Sequence, residues 1–162
     1  MSHNGSIKSD LRFESYKIDK IDFHVQQTVS ILSSVNHSNC RVQFNLGFRD
    51  ALKLKEDEKT LYVTGLQVSL ELMKKEADDK PIAEGTFVIT GLFSTTGELD
   101  KETEESLVKY QGPAILMPYI RATISYTLAG AGFSPIMMPL INVNRAAADT
   151  DIKVIDSSQS DT

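Results

Sequence analysis

The sequence predicts an α+β fold in which a four-stranded antiparallel sheet is covered by one long C-terminal helix. Three observations predict it. The first half of the chain carries apolar residues at alternate positions, interrupted by short charged turns. From Ile115 the spacing changes to apolar pairs recurring every four residues, the period of a helix with one broad apolar face. Between Tyr110 and Asn144 the only formal charge is Arg121, so this segment alone can supply a cover for the sheet.

A chain of 162 residues suits one domain with a real core, expected over 11–145 between a flexible segment at 1–10 and an acidic, disordered tail at 146–162. A hydrophobic content of 41% and a charged content of 24% are those of a soluble globular chain. The formal charge of −5 and the lack of a basic cluster argue against a nucleic-acid partner. Cys40 is the only cysteine, which excludes an intrachain disulfide and a cysteine zinc site and fits a reducing, cytoplasmic setting. The polar N-terminus is not a secretory signal. Ala122–Asn144 lacks charge, yet Gly130, Gly132, Pro135 and Pro139 break any spanning helix, so no membrane insertion is expected.

The elements follow in order. Leu11 and Phe13, then Ile21, Phe23 and Val25, mark strand patches within Leu11–Gln27, and Thr28–Asn39 is ambiguous, its Ser33, Ser34, Asn36, Ser38 and Asn39 reading as loop. In Cys40–Leu54, Val42, Phe44, Leu46 and Phe48 share one face. After the charged turn Lys55–Lys59, Leu61 and Val63 have one parity and Leu66, Val68, Leu70 and Leu72 the other. That switch predicts a β-bulge at Gly65. A second charged turn, Lys74–Lys80, leads into a strand from Ile82 to Phe93 that is apolar on both sides at its middle. Hairpin-length turns predict an antiparallel meander. Acids at Asp100, Glu102, Glu104 and Glu105 suit the start of a short helix over Glu98–Gln111. Gly112-Pro113 then reads as a break before the long helix, which Pro118 should kink and Gly130 or Gly132 should end. Phe133–Val143 is an apolar loop containing Pro135 and Pro139, and Ile152–Ile155 is a candidate strand in the tail.

Nothing in the chain points to an enzyme. His3, His24 and His37 lack metal-ligand spacing, Cys40 lacks a nucleophile's setting, and there is neither a phosphate-binding glycine loop nor a Gly-x-Ser-x-Gly element. No metal or cofactor is expected. Two features remain. Arg121 reads either as a charge snorkelling from the polar side of its helix or as one paired across a subunit contact. The loop Gly132–Asn144 reads either as a core plug or as the wall of a groove for apolar peptides, a use that the adaptable side chains of Met137 and Met138 suit.

The runs Ala114-Ile-Leu-Met-Pro-Tyr-Ile-Arg121 and Gly132-Phe-Ser-Pro-Ile-Met-Met-Pro-Leu-Ile-Asn-Val-Asn144, with a weaker match at Glu84–Gly91, resemble the SecB family of protein-export chaperones over roughly 11–145. The resemblance implies a SecB-like sheet and helix, a helix placed at a dimer interface, dimers pairing into a homotetramer, and ATP-independent binding of unfolded polypeptides along apolar grooves. By position, Phe133, Ile136, Met137, Met138, Leu140, Ile141 and Val143 would line the peptide-binding groove. Tyr119, Ile120 and Ile124 would pack the helix at the oligomer interface.

The chain departs from the family at Ala122, where an acid commonly follows the helix arginine, and at Ile141-Asn-Val-Asn144, which lacks the aromatic that opens the family's second helix. The segment 144–162 also lacks that amphipathic helix and its basic end, which weighs against a SecA-like motor as partner. The function expected is that of a holdase, for protein export or in a toxin–antitoxin–chaperone setting. The alternative is a regulatory oligomer of the same fold with one dedicated partner such as an antitoxin.

Overall fold

A computed structural model describes residues 11–26, 40–74, 80–133 and 136–139, with the backbone of 152–155. The expected flexible start at 1–10, the loop at 28–39 and most of the acidic tail lie outside the described residues. Strands β1 (Leu11–Val25), β2 (Cys40–Lys55), β3 (Lys59–Lys74) and β4 (Ala83–Thr96) build the expected antiparallel sheet. The candidate strand at Ile152–Ile155 forms as β5 and joins the sheet parallel to β2.

The meander holds only for β2, β3 and β4. The strand order is β1-β4-β3-β2-β5, so β1 pairs with β4 instead of β2. The connection between β1 and β2 is too long for a tight hairpin, which frees β1 to close the other side of β4, as in a Greek key. β4 thus lies inside the sheet, and its two-sided apolar run has a use. Phe87, Ile89 and Phe93 are fully buried on the helix side, and Val88 is buried on the opposite side.

The expected bulge is in the partner strand. The register of β3 with β4 is unbroken from Lys59 to Leu72. The irregularity lies in β2, where Asp50 and Ala51 stand opposite Thr64 alone. The core-facing set of β3 is Thr60, Tyr62, Thr64, Leu66, Val68, Leu70 and Leu72, all buried and all of one parity. Two of its polar members are satisfied by the helical cover, Thr64 Oγ1 donating to the Val108 carbonyl (3.3 Å) and Tyr62 Oη to Glu104 (3.0 Å), and Thr60 Oγ1 donates to the Gly97 carbonyl (3.2 Å). Leu61 and Val63 turn to the open face, where they pair across strands with Leu54 and Leu52.

Two further bulges explain why β1 reads as separate patches. Glu14 and Asp19 are extra residues opposite β4, and each flips the parity of the inward side chains. Ser94 and Thr90 hydroxyls donate to the carboxylates of Glu14 and Asp19, so both extra residues are fixed to the open face.

The cover is α1 (Lys101–Ser106), a π-helical turn (Leu107–Gln111) and α2 (Gly112–Gly130). Asp100 caps α1 by accepting from the Thr103 amide (2.9 Å) and hydroxyl (2.7 Å), contacts that hold its carboxyl below the usual range. The expected break at Gly112-Pro113 does not occur. Pro113 lacks the N–H that an α-helix needs there and would crowd the carbonyl four residues back. The π turn absorbs both problems, with the Gly112 amide bonded to the Leu107 carbonyl five residues earlier. Below α1, Lys53 of β2 pairs with Glu104, both largely buried, and Lys53 Nζ lies 5.9 Å from the Tyr62 ring centroid. Burial, and then the hydrogen bond to Glu104, push the Tyr62 hydroxyl well above the ordinary tyrosine range.

The cover sits close to the sheet at two glycines. A Cβ on Gly112 would meet Thr64 Cγ2 at 2.6 Å, and one on Gly91 would meet Leu116 Cδ2 at 2.7 Å. Gly112→Ala should raise helix propensity by about 1 kcal/mol, but the clash with Thr64 outweighs it. A net loss of about 1–3 kcal/mol is expected in urea unfolding. Adding Thr64→Ser, which removes the methyl and keeps the hydroxyl, should recover most of that loss.

Candidate functional site

Along α2 the side chains divide cleanly. Leu116, Ile120, Ile124 and Leu128 are fully buried on the sheet. Ala114, Pro118, Tyr119, Ala122, Tyr126 and Ala129 are exposed. Thr123 and Thr127 donate their hydroxyls to the carbonyls of Tyr119 (3.0 Å) and Thr123 (2.9 Å). The outer face is therefore uncharged as well as unusually apolar, and Arg121 at its margin is half-buried.

The helix ends where the loop begins. Gly132, at φ +89°, takes the left-handed conformation that closes a Schellman motif, with the Phe133 amide bonded to the Leu128 carbonyl (3.0 Å) and the Gly132 amide to that of Ala129 (3.0 Å). The reversal turns Phe133 inward, edge-on to Phe23 with ring centroids 6.2 Å apart. Met137 and Met138 then lie against α2. Pro118, Arg121, Ala122 and Ser125, at helix positions i, i+3, i+4 and i+7, form one wall of a cleft of about 280 Å³, and Met137 and Met138 form the other.

The sequence-predicted site residues separate by depth. Phe133, Ile136 and Met138 are buried in the hydrophobic core, whereas Met137 is 74% exposed at the mouth of the cleft. Leu140, Ile141 and Val143 lie outside the described residues. Ile120 and Ile124 pack inside the protomer, and Tyr119 is partly open, 4.3 Å from Tyr16 between ring centroids. Phe13 and Phe93 continue this aromatic row, and Ile21 of β1 is 53% exposed. Sequence reasoning missed Tyr16, because the bulges of β1 hide its parity, and it missed the helix wall at Pro118, Ala122 and Ser125. The signal for that wall was present: small, uncharged residues at helical spacing opposite the buried face.

A larger recess, about 400 Å³, opens on the other face of the sheet beside Asp19, Arg49, Asp50 and Thr90. Arg49 pairs there with Asp19 (3.5 Å), which also accepts from Thr90, so its polar groups already serve one another. Among the described residues no cluster of His, Cys, Asp or Glu could hold a metal ion, and no helix is long and apolar enough to cross a membrane.

The depth difference between the two methionines has a measurable consequence. Met137→Asp should shift stability by less than about 0.5 kcal/mol. Met138→Asp, which drives a carboxylate into the core position that Met138 fills at 1% exposure, should cost about 3 kcal/mol or more. Urea unfolding of both variants, followed by circular dichroism, checks the contrast.

Comparison with known proteins identifies the family. A family model described as preprotein translocase subunit SecB matches residues 8–148. The protein-export protein SecB of Anaplasma phagocytophilum is 28% identical over 146 residues, covering 85% of this chain and 84% of that protein. An uncharacterized protein of Methanocaldococcus jannaschii is 27% identical over 137 residues, covering 84% and 81%. Among solved structures, a SecB-like chaperone of Mycobacterium tuberculosis, in complex with a peptide from the HigA1 antitoxin, superposes with a TM-score of 0.64 at 12% identity, over 82% of this chain and 91% of that one. The fold, the sequence of the helix and loop, and the family match agree: this chain belongs to the SecB family.

Proposed function

We propose that this protein is an ATP-independent holdase that docks exposed apolar segments of unfolded polypeptides in the cleft between α2 and the loop at 133–139. The observation that carries the proposal is the pairing of an uncharged helix wall with a solvent-exposed methionine on a loop that its neighbours anchor in the core. The wall is rigid, and Met137 adapts to unlike side chains, a combination suited to many clients and to none in particular. Each client leucine or phenylalanine removed from water there contributes about 1.5–3 kcal/mol. Binding the unfolded chain and not the folded one holds clients open by mass action. Leu140, Ile141 and Val143 extend the same apolar loop in sequence and belong to this proposal as its continuation.

Assembly is the second half of the proposal. Tyr16, Ile21, Tyr119 and Tyr126 are large apolar side chains left exposed around β1 and α2. A homo-oligomer, dimer or tetramer, that covers them would place several clefts on one particle and let one client occupy more than one, raising affinity through effective concentration. Tyr119 contributes to that contact directly. Ile120 and Ile124 support it from beneath, by seating the helix. No chemistry is proposed for the cleft, and the setting proposed is cytoplasmic.

The family resemblance also supports a narrower reading, in which one dedicated partner such as an antitoxin segment fills the cleft. The solved chaperone that shares this fold carries such a peptide. A client panel separates the two. As a holdase, the protein at stoichiometric amounts should suppress light scattering from several unrelated unfolded clients, and Met137→Asp should weaken that protection at least several-fold. Protection of one client and failure with the rest would establish the dedicated-partner reading instead.

A further inference from the structure

We infer that β5 is the catch that keeps α1 seated: its pairing along β2 shields the Lys53–Glu104 ion pair from water, so release of this C-terminal strand loosens α1. Among the described residues β5 is the outermost strand on the β2 side of the sheet, and it pairs with β2 only at Ala51–Leu54, with Val154 opposite Lys53. Lys53 reaches Glu104 of α1, which also accepts from Tyr62 Oη (3.0 Å), and each side chain of the ion pair is only 14% exposed. Lys55, two residues on, pairs with Glu98 in the same way, but it lies past the last residue that β5 covers, and those side chains are 55% and 70% exposed. Lys53 and Lys55 stand opposite Tyr62 and Thr60, both buried and of one parity. The two lysines thus share a strand and a face and differ in whether a further strand lies outside them.

A strand laid about 4.8 Å from β2 closes the flank through which water reaches the side chains of an edge strand. The attraction between an ammonium and a carboxylate strengthens as water is excluded, and a hydrated pair contributes little. α1 depends on that pair more than a longer helix would. It has six residues and buries none of them, so its own hydrogen bonds do not sustain it, and Glu104 supplies its ion pair and its hydrogen bond to the sheet. α2 is independent of β5, because Leu116, Ile120, Ile124 and Leu128 hold it by burial. Loss of β5 therefore hydrates Lys53 and Glu104 and frees α1 while α2 stays in place. A partner that takes residues 152–155 into its own sheet would act on the helical cover from outside by this route. The coupling holds whether or not the cleft takes clients.

The test is amide hydrogen exchange on the full-length chain, followed by mass spectrometry in three windows: α1, α2 and residues 152–155. Lys153→Pro together with Val154→Pro releases β5, because one of two consecutive strand residues turns its amide toward the neighbour and proline supplies none. In that variant α1 should exchange about 10-fold faster than in the wild type, the worth of a charge-assisted hydrogen bond, and α2 should be unchanged. The same two prolines are then placed in Lys53→Met with Glu104→Gln, which removes both charges and keeps an acceptor for Tyr62. There the prolines should alter α1 exchange by less than about 2-fold, since the pair that carried the coupling is gone. Unchanged α1 exchange when the prolines enter the wild type overturns the proposal. So does an equal acceleration in both backgrounds, because β5 then acts on α1 by another route. Acceleration of α2 together with α1 overturns it as a general loss of stability, and unprotected amides at 152–155 in the wild type overturn it because β5 then holds nothing.

Discussion

The close seating of the helical cover on the sheet is the contact on which the rest depends. Gly91 and Gly112 remove the two Cβ atoms that would hold α2 away from β3 and β4, so Leu116 and Thr64 fill the space instead. Once α2 lies that low, Ile120, Ile124 and Leu128 reach the core, and the four-residue spacing of α2 sets everything else along one line. The same seating fixes the height of the outer wall above the loop. A cover raised by the width of a methyl group would lose packing against Phe93 and Tyr62, and the cleft beside it would change shape.

The cover is held by two kinds of contact with different purposes. Apolar burial along α2 supplies most of the stabilisation and specifies little about register. The polar contacts at the other end, Thr64 to Val108, Tyr62 to Glu104 and Glu104 to Lys53, add modest net energy because each group was hydrated before folding. What they do is fix position. They need one rotation and one translation of the helix over the sheet, and the π turn at 107–111 supplies the extra residue that lets α1 and α2 both meet their partners.

Much of this was legible in the sequence, and the parts that were not share a physical cause. Alternation in β2 and the four-residue period of α2 were plain because those elements pack apolar residues on one defined side, and the two-sided apolar run of β4 matched its place inside the sheet. In β3 the core-facing positions 60, 62 and 64 are Thr, Tyr and Thr, and the aliphatic Leu61 and Val63 face outward, so hydrophobicity alone misassigned the face and produced a bulge that β2 carries instead. Gly112-Pro113 read as a break because a proline's missing donor is visible in sequence, whereas a π turn that accommodates it depends on the sheet beneath. The site was half legible. Composition left the loop open between a core plug and a groove wall, and alternate depth was not readable from it: Met138 is buried in the core and Met137 faces solvent.

The uncharged helix face and the apolar loop line one cleft between them. The central claim is that unfolded polypeptide enters between them and does not bind on the open face of the sheet. Photo-crosslinking tests it most directly, with a benzophenone amino acid placed at Met137 in one sample and at Gln67, exposed on the open face, in another. With an unfolded client in slight excess, position 137 should capture client and position 67 should not. Equal capture at both positions, or capture from 67 alone, would contradict the assignment of the cleft.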